Sequence, residues 1–494
     1  MSATWRDCFD DLRRKFQLPL WSELHPILEA LIRASTDVSN RESTNYDDVS
    51  LLGELLSNTD IADANVADAR LCAIKLMRNL CAGVPRNQRH FLQTGASDKM
   101  VHLMRSLLDN RSVCWNRDQL LTAALQFLGN MCSGYPEGQA EVWDLCYPTV
   151  FRGVMECGVC EVTDICCMVV HVCTLNNMER RMQLCSRTVD SSDIIATPTG
   201  NRNMIATILH SMGSHSEWIF ILLEALVQCI PLSHLYSCLE PHPQELVTLL
   251  TFICTRLTPG GSVEGLGGVL SQENSHFLSH YYTRLSSNLL DAGGEKLNPL
   301  HSGGVQDFSR CQEFSVFKSS LGLLCHFSSF EECLMHLQCD LIIAETTLAL
   351  LRHLATLDGS IGSAKHRTKL STVSPSGDEE KHPLFAVKTN LVRLIANLCY
   401  QCPVVQMKVK ETDSIPLILN QCNIDHLNPY IMQWAVFAVR NLCEDNPATQ
   451  AFIAHLEQQG IAEAAKLLDF GCVVAMGDDG KIKRLRTVCD TRDD

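Results

Sequence analysis

The chain has 494 residues, of which 46% are apolar and only 6% aromatic, so aliphatic and small side chains must supply its core. With 41 basic against 56 acidic residues its net charge is −15, which argues against a phosphate backbone as a general partner. The chain has 25 cysteines and a charged opening, MSATWRDCFDDLRRKF, that lacks an apolar h-region, so the cysteines are expected to be reduced, buried thiols of an intracellular chain.

Taken in chain order, the first informative feature is a repeat. IKLMRNLCAG places Asn79 two residues before Cys81, and LQFLGNMCSG places Asn130 two residues before Cys132. Each motif closes a helical apolar run, and a glutamine follows each asparagine after nine residues, at Gln88 and Gln139. The two asparagines are 51 residues apart, with polar Asp109-Asn110-Arg111-Ser112 as the place for an insertion. MVVHVCTLNN offers a weaker copy in which Asn176 follows Asn130 by 46 residues without the Cys or the Gln. The most apolar run, Trp218 to Ile230, is short and interrupted by Glu224, so no membrane span is expected.

Segments 257–274 and 291–306 are Gly-rich and read as loops or distorted turns. Asp358 to Pro383 is polar and rich in Ser, Gly and charge, the composition of a disordered linker. It contains Ser374-Pro375, a pattern compatible with proline-directed phosphorylation, although Ser-Pro is common in such segments. Beyond it, LVRLIANLCY and VFAVRNLCED repeat the motif with Asn397–Cys399 and Asn441–Cys443, each with its glutamine, Gln406 and Gln450. These two asparagines are 44 residues apart, within the roughly 40–47 residues of an armadillo or HEAT unit. Asn428-Pro429 reads as an N-cap and first turn for YIMQWAVFAVRNLC, a helix apolar on nearly every face and therefore expected to be enclosed by others. No strand is expected anywhere, and the tail after Asp469, with Lys481, Lys483, Arg484 and Arg486, is expected to fray.

These features predict an all-α, armadillo/HEAT-like right-handed superhelical solenoid. Its expected divisions are an N-terminal array at 1–357 with an irregular Gly-rich middle, a polar linker at 358–383, a C-terminal block at 384–470 and a flexible tail at 471–494. The repeated asparagine has two readings. It either ends the third helix and ties successive layers, with the glutamine fastening the next helix to the turn, or it lines a concave groove and bonds a partner's backbone. One turn earlier stand Lys75, Gln126, Arg393 and Phe437, mostly long and polar, a candidate concave face.

Catalytic chemistry is not expected. The chain lacks a Gly-x-Ser-x-Gly elbow, a phosphate-cradling glycine loop with Lys-Ser/Thr, and His-Glu-x-x-His. Cys157, Cys160, Cys166, Cys167 and His171, and Cys399 with Cys402, have partial metal-ligand spacing. A second knuckle is missing, so buried core thiols are expected and no metal or other cofactor.

HPLFAVKTNLVRLIANLCYQ, IPLILNQCNIDHLNPYIMQWAVFAVRNLCEDNPATQ and QQGIAEAAKLL resemble the C-terminal domain of the ataxin-10 family, and AALQFLGN and Ser216-Glu217-Trp218 resemble it further upstream. The resemblance implies an armadillo-like, self-associating cytoplasmic protein that supports neuron survival, neurite outgrowth and cytokinesis. It implies as partners an O-linked N-acetylglucosamine transferase and a G-protein β subunit, and a location near the nucleus, centrosome, basal body and midbody. The leading functional expectation is thus a non-enzymatic scaffold. The alternatives are a regulator of a nucleotide switch and an import-receptor-like peptide groove. The last is disfavoured because Trp occupies none of the positions one turn before the asparagines.

Overall fold

The computed structural model describes residues 4–17, 21–57, 63–109, 116–186, 202–213, 216–258, 267–291, 312–361, 384–422, 425, 427–456, 472–476 and 482–487. It is an all-α armadillo-type solenoid through residue 454. A central row of helices carries the core: α2 (Trp21–Ala34), α5 (Ala64–Cys81), α8 (Arg117–Cys132), α11 (Cys160–Thr174), α14 (Glu217–Val227), α16 (Pro243–Leu257), α18 (Gln312–Phe327), α21 (Val387–Leu398) and α24 (Ile431–Cys443). Each packs on the next, and α14 meets α16 through stacked Phe220 and Phe252, 5.8 Å apart, and an ion pair of Glu224 with Arg256 at 2.8 Å.

Two shorter helices flank each central one in the regular layers. These are α3 (Val38–Ser43) and α4 (Tyr46–Leu55) before α5, α6 (Pro85–Gln93) and α7 (Ala96–Asp109) before α8, and α9 (Pro136–Cys146) and α10 (Thr149–Met155) before α11. The next layer sets α12 (Met178–Cys185) and α13 (Met204–His210) before α14. The order becomes irregular where α15 (Leu232–Leu239) and α17 (Gln272–Asp291) surround α16. It resumes with α19 (Glu331–Gln338) and α20 (Leu341–Ile361), here longer than the central helix, before α21, then α22 (Pro403–Glu411) and α23 (Ile415–Leu419) before α24. Helices α1 (Trp5–Phe16) and α25 (Pro447–Ala454) stand outside these triplets.

The sequence explains the turn after the four central helices that end in the motif. In α5, Leu71, Ala73, Ile74, Leu76, Met77 and Leu80 are all buried, so the helix must be enclosed. Four residues past each repeated asparagine the chain enters the left-handed region, at Gly83 (φ 69°), Gly134 (66°), Gln401 (49°) and Asp445 (49°). Two residues later comes a proline at the first position of the next helix: Pro85, Pro136, Pro403 and Pro447. The left-handed residue stops one helix, and proline, whose missing N–H would be unpaired there anyway, starts the next.

Several expectations are corrected. Asn176 is left-handed (φ 55°), so it aligns with Gly83 and Gly134 rather than with the asparagines. The residue in asparagine register is Val172, four positions earlier. Asn428 does not cap its own helix, which starts at Ile431 behind left-handed Tyr430. Its Oδ1 instead accepts from the N–H groups of Lys388 (2.9 Å) and Thr389 (3.4 Å), capping α21 of the preceding layer. Helix α21 needs this outside cap because its N-terminal flanking residue, Ala386, has no side-chain acceptor. Helix α24 is less enclosed than its composition implied, with Val436 57% exposed.

The C-terminal block is no separate body either. Asn397 bonds Ser328 and Cys325 bonds the Asn390 carbonyl, so α21 continues the row begun by the N-terminal layers. Helix α20 runs to Ile361, past the expected linker boundary at Asp358. Ser374-Pro375 lies outside the described residues, as do most of the linker and the Gly-rich segments. Where no strand was expected, β1 (Cys472–Met476) and β2 (Ile482–Thr487) pair antiparallel, with Cys472 opposite Thr487. Alternation in this short hairpin is weak, but Asp479-Gly480, between the two runs, is the turn dipeptide that could have announced it.

Candidate functional site: the inter-layer ladder and its stripe

The repeated asparagines sit inside the last turn of α5, α8, α21 and α24, and their amide nitrogens reach back to the preceding layer. Asn130 Nδ2 donates to the Arg78 carbonyl at 2.9 Å, and Asn441 Nδ2 to the Ala396 carbonyl at 2.8 Å. Each acceptor is the residue just before the previous asparagine. Where the preceding layer has no asparagine, a serine accepts instead: Asn79 donates to Ser35 Oγ and Asn397 to Ser328 Oγ, both at 2.9 Å.

The glutamines fasten the same turns from the other side. Gln88 Nε2 donates forward to the carbonyls of Asn130 (2.8 Å) and Ser133 (2.9 Å). Gln406 does the same to Asn441 (2.9 Å) and Glu444 (3.4 Å) while also holding Cys399 of its own layer. Gln139 and Gln450 bond only the carbonyls of Cys132 and Cys443, seven residues behind them. Carbonyls at a helix end lack intrahelical donors, so these amides satisfy groups that burial would otherwise leave unpaired.

Two members of this ladder escape the motif. Arg181, nine residues after Val172, donates to the Thr174 carbonyl seven residues behind it and also reaches Cys229 Sγ. Gln338 donates to the carbonyls of Leu398 (3.1 Å) and Tyr400 (2.8 Å), as Gln88 and Gln406 do to their next layers. The only sequence signal for either was a long donor at the right offset.

The expected concave-face residues divide into two groups. Lys75 and Gln126, on α5 and α8, are half-buried, and so are Arg393 and Phe437, on α21 and α24. The pairs lie at opposite ends of the row, separated by α11, α14, α16 and α18. Gln126 Oε1 accepts from Arg78 Nη1 at 2.7 Å, while the same guanidinium donates to Asn79 Oδ1 at 3.0–3.1 Å. Burial draws the Arg78 guanidinium below its ordinary pKa. At the far end Arg393 lies over the Trp434 ring at 5.2 Å, Trp434 meets Phe437 edge-on at 5.9 Å, and Arg440 lies 6.0 Å over Phe437. Between them His171 approaches Trp218 at 6.2 Å, and Arg256 covers Phe220 and Phe252. Together these side chains form a stripe of cations and aromatics along the central helices, opposite in sign to the chain's net charge.

Position one turn before the asparagine was too narrow a criterion for this stripe. Trp434 stands two turns before Asn441, a spacing that also returns to the same helix face. Of the cysteines with partial metal spacing, Cys166 and Cys167 are buried, Cys160 is exposed, and burial pushes the Cys166 thiol well up. Among the described residues those cysteines and His171 do not converge; the one cysteine-histidine group that does is Cys185, His234 and Cys238.

A family model described as the spinocerebellar ataxia type 10 protein domain matches residues 387–485, from α21 into the terminal hairpin. Ataxin-10 of Bos taurus is 29% identical over 424 residues, 84% of this chain and 82% of that protein. Ataxin-10 of Xenopus tropicalis is 28% identical over 414 residues, 83% of this chain and 79% of its own length. An ataxin-10 homolog of Dictyostelium discoideum is 43% identical over 96 residues, 19% of this chain and 16% of that protein. Among solved structures, an engineered protein covers 87% of this chain and 98% of its own at 15% identity with a TM-score of 0.37. A designed armadillo repeat protein in complex with the peptide (KR)4 covers 80% and 99% at 12% identity with a TM-score of 0.20. The chain is thus similar to ataxin-10 proteins along most of its length and carries a match to that family's domain at residues 387–485.

Proposed function

We propose that this chain is a non-enzymatic scaffold that holds other proteins along the cation-aromatic stripe of its central helices. The observation that carries this reading is the Arg393–Trp434–Phe437–Arg440 stack, half-exposed on the last two central helices. Trp and Arg anchors dominate protein interfaces, because they combine large apolar area with directional donors. The asparagines, in this reading, are ties between layers rather than partner contacts, since their donors are already engaged within the chain.

Similarity to ataxin-10 proteins supports the finer proposal. The scaffold works in the cytoplasm, near the nucleus, centrosome, basal body and midbody, and serves neuron survival, neurite outgrowth and cytokinesis. Its proposed partners are an O-linked N-acetylglucosamine transferase, a G-protein β subunit and a second copy of itself.

Calorimetric titration of the purified chain with each partner tests this reading. Trp434→Ala should weaken binding by about thirtyfold, the effect of losing an anchor worth about 2 kcal/mol. Arg440→Glu, on an exposed side chain, should weaken it without touching the core. Unchanged affinity in both variants, with helical circular dichroism retained, would remove the stripe as the binding surface.

A further inference from the structure

Cys185 ends α12, and His234 and Cys238 lie one turn apart on α15, so three soft ligands from two successive layers converge. One ligand atom from each lies within 4.8 Å of the other two. Cys185 and Cys238 are 1% and 7% exposed, and their thiols are hydrogen-bonded to each other. His234 Nε2 is buried without a hydrogen-bond partner, a costly arrangement for an imidazole that packing alone does not require.

The two helix ends that carry the ligands are held from outside. Tyr147 Oη donates to the Gln183 carbonyl at 2.6 Å, fixing the end of α12, and Asn203 Nδ2 donates to the Cys238 carbonyl at 2.8 Å, fixing α15. Fixed ligand positions are what a metal site needs and what a merely filled core does not.

We propose that Cys185, His234 and Cys238 bind one zinc ion that joins the α12 and α15 layers. Two thiolates and a neutral imidazole are a common zinc ligand set with a fourth position left for water or an added donor. Charge selects the ion as well. Two thiolates cancel Zn²⁺, so the buried site is neutral when loaded, whereas Cu⁺ would leave an uncompensated negative charge. Binding breaks both S–H bonds, forms two S–Zn bonds and one N–Zn bond, and releases two protons to solvent.

The test uses the full chain, stripped with a chelator and titrated with Zn²⁺ against a colorimetric competitor, with Co²⁺ as the spectroscopic substitute. One equivalent should bind, and Co²⁺ should give thiolate charge-transfer absorption. Cys238→Ser should lower zinc affinity by about a hundredfold or more, and His234→Gln should weaken it while leaving the thiolate bands. The variant Cys132→Ser is the control: its thiol lies 3.8 Å from that of Cys173 and belongs to no cysteine-histidine group among the described residues, so zinc binding should be unchanged. If Cys238→Ser fails to fold, X-ray absorption of the zinc-loaded wild type should show two sulfur ligands and at least one nitrogen. Absence of stoichiometric zinc would overturn the proposal. So would zinc binding that persists when Cys185 and Cys238 are both serine, or a Cys185–Cys238 disulfide in the purified protein.

Discussion

Asn441 donates from its buried amide to the carbonyl of Ala396, 45 residues earlier and one layer back, at 2.8 Å. Truncating it to alanine removes the donor and leaves a cavity at a closed contact. Asn441→Ala should lower unfolding free energy by about 1–3 kcal/mol, read as a shift in the urea midpoint. A loss below about 0.3 kcal/mol would mean that the tie adds nothing to the packing around it.

The left-handed residues separate backbone cost from side-chain contact. A Cβ at Gly134 meets no atom within 4 Å, so Gly134→Ala tests conformation alone and should cost about 1–2 kcal/mol. The reverse change, Gln401→Gly, relieves an L-residue at φ 49° and should stabilise by about 0.5 kcal/mol. Thermal melts of the two variants should therefore move in opposite directions.

Asn428 acts on a helix other than its own. Asn428→Ala should cost about 1–2 kcal/mol by uncapping α21, and Asn428→Asp should not restore it, because the amide nitrogen it replaces donates to Asp425 Oδ2 at 3.0 Å and a carboxylate there would repel. Hydrogen exchange at the Lys388 and Thr389 amides gives the local readout: both should accelerate in the alanine variant.

Acid should weaken the middle of the array through His326. Burial first, and the Arg393 guanidinium second, lower its pKa from 6.5 to about 4. The folded chain thus holds the imidazole neutral while the unfolded chain takes up a proton. Stability from this residue is complete above about pH 6.5, falls as pH drops through the window, and is gone below about pH 4. His326→Gln should flatten the pH dependence of the denaturation midpoint between those limits, and an unchanged slope would place the titration elsewhere.

How much of this was legible in the sequence depends on how many chemistries satisfy one physical demand. Asn79, Asn130, Asn397 and Asn441 announced the layers because a short amide, at the end of a helix, is a particular solution repeated with its glutamine. The middle layers meet the same demand with other groups. Arg181 supplies the donor where glutamine is absent, and Ser328 offers a hydroxyl where a carbonyl serves elsewhere. No residue identity survives that exchange, only an offset. Asn176 misled for the complementary reason, since the left-handed turn also tolerates asparagine.

The stripe and the cysteine-histidine group were hidden differently. Trp434 and Arg393 lie on different helices and meet only once α21 and α24 are stacked. Cys185 is 49 residues from His234, so no local knuckle could point to the pair. Contacts between layers are set by the pitch of the row, which no short spacing encodes.

Every asparagine rung reaches only its immediate predecessor, and that has a mechanical consequence. A pull on the two ends of the array loads its junctions in series, so yielding is governed by the weakest junction rather than by the average of all of them. The rungs closed on the Ser35 and Ser328 hydroxyls rest on groups that rotate, whereas those closed on Arg78 and Ala396 rest on backbone. Among the junctions closed by an asparagine, those at Ser35 and Ser328 should yield under tension before those at Arg78 and Ala396.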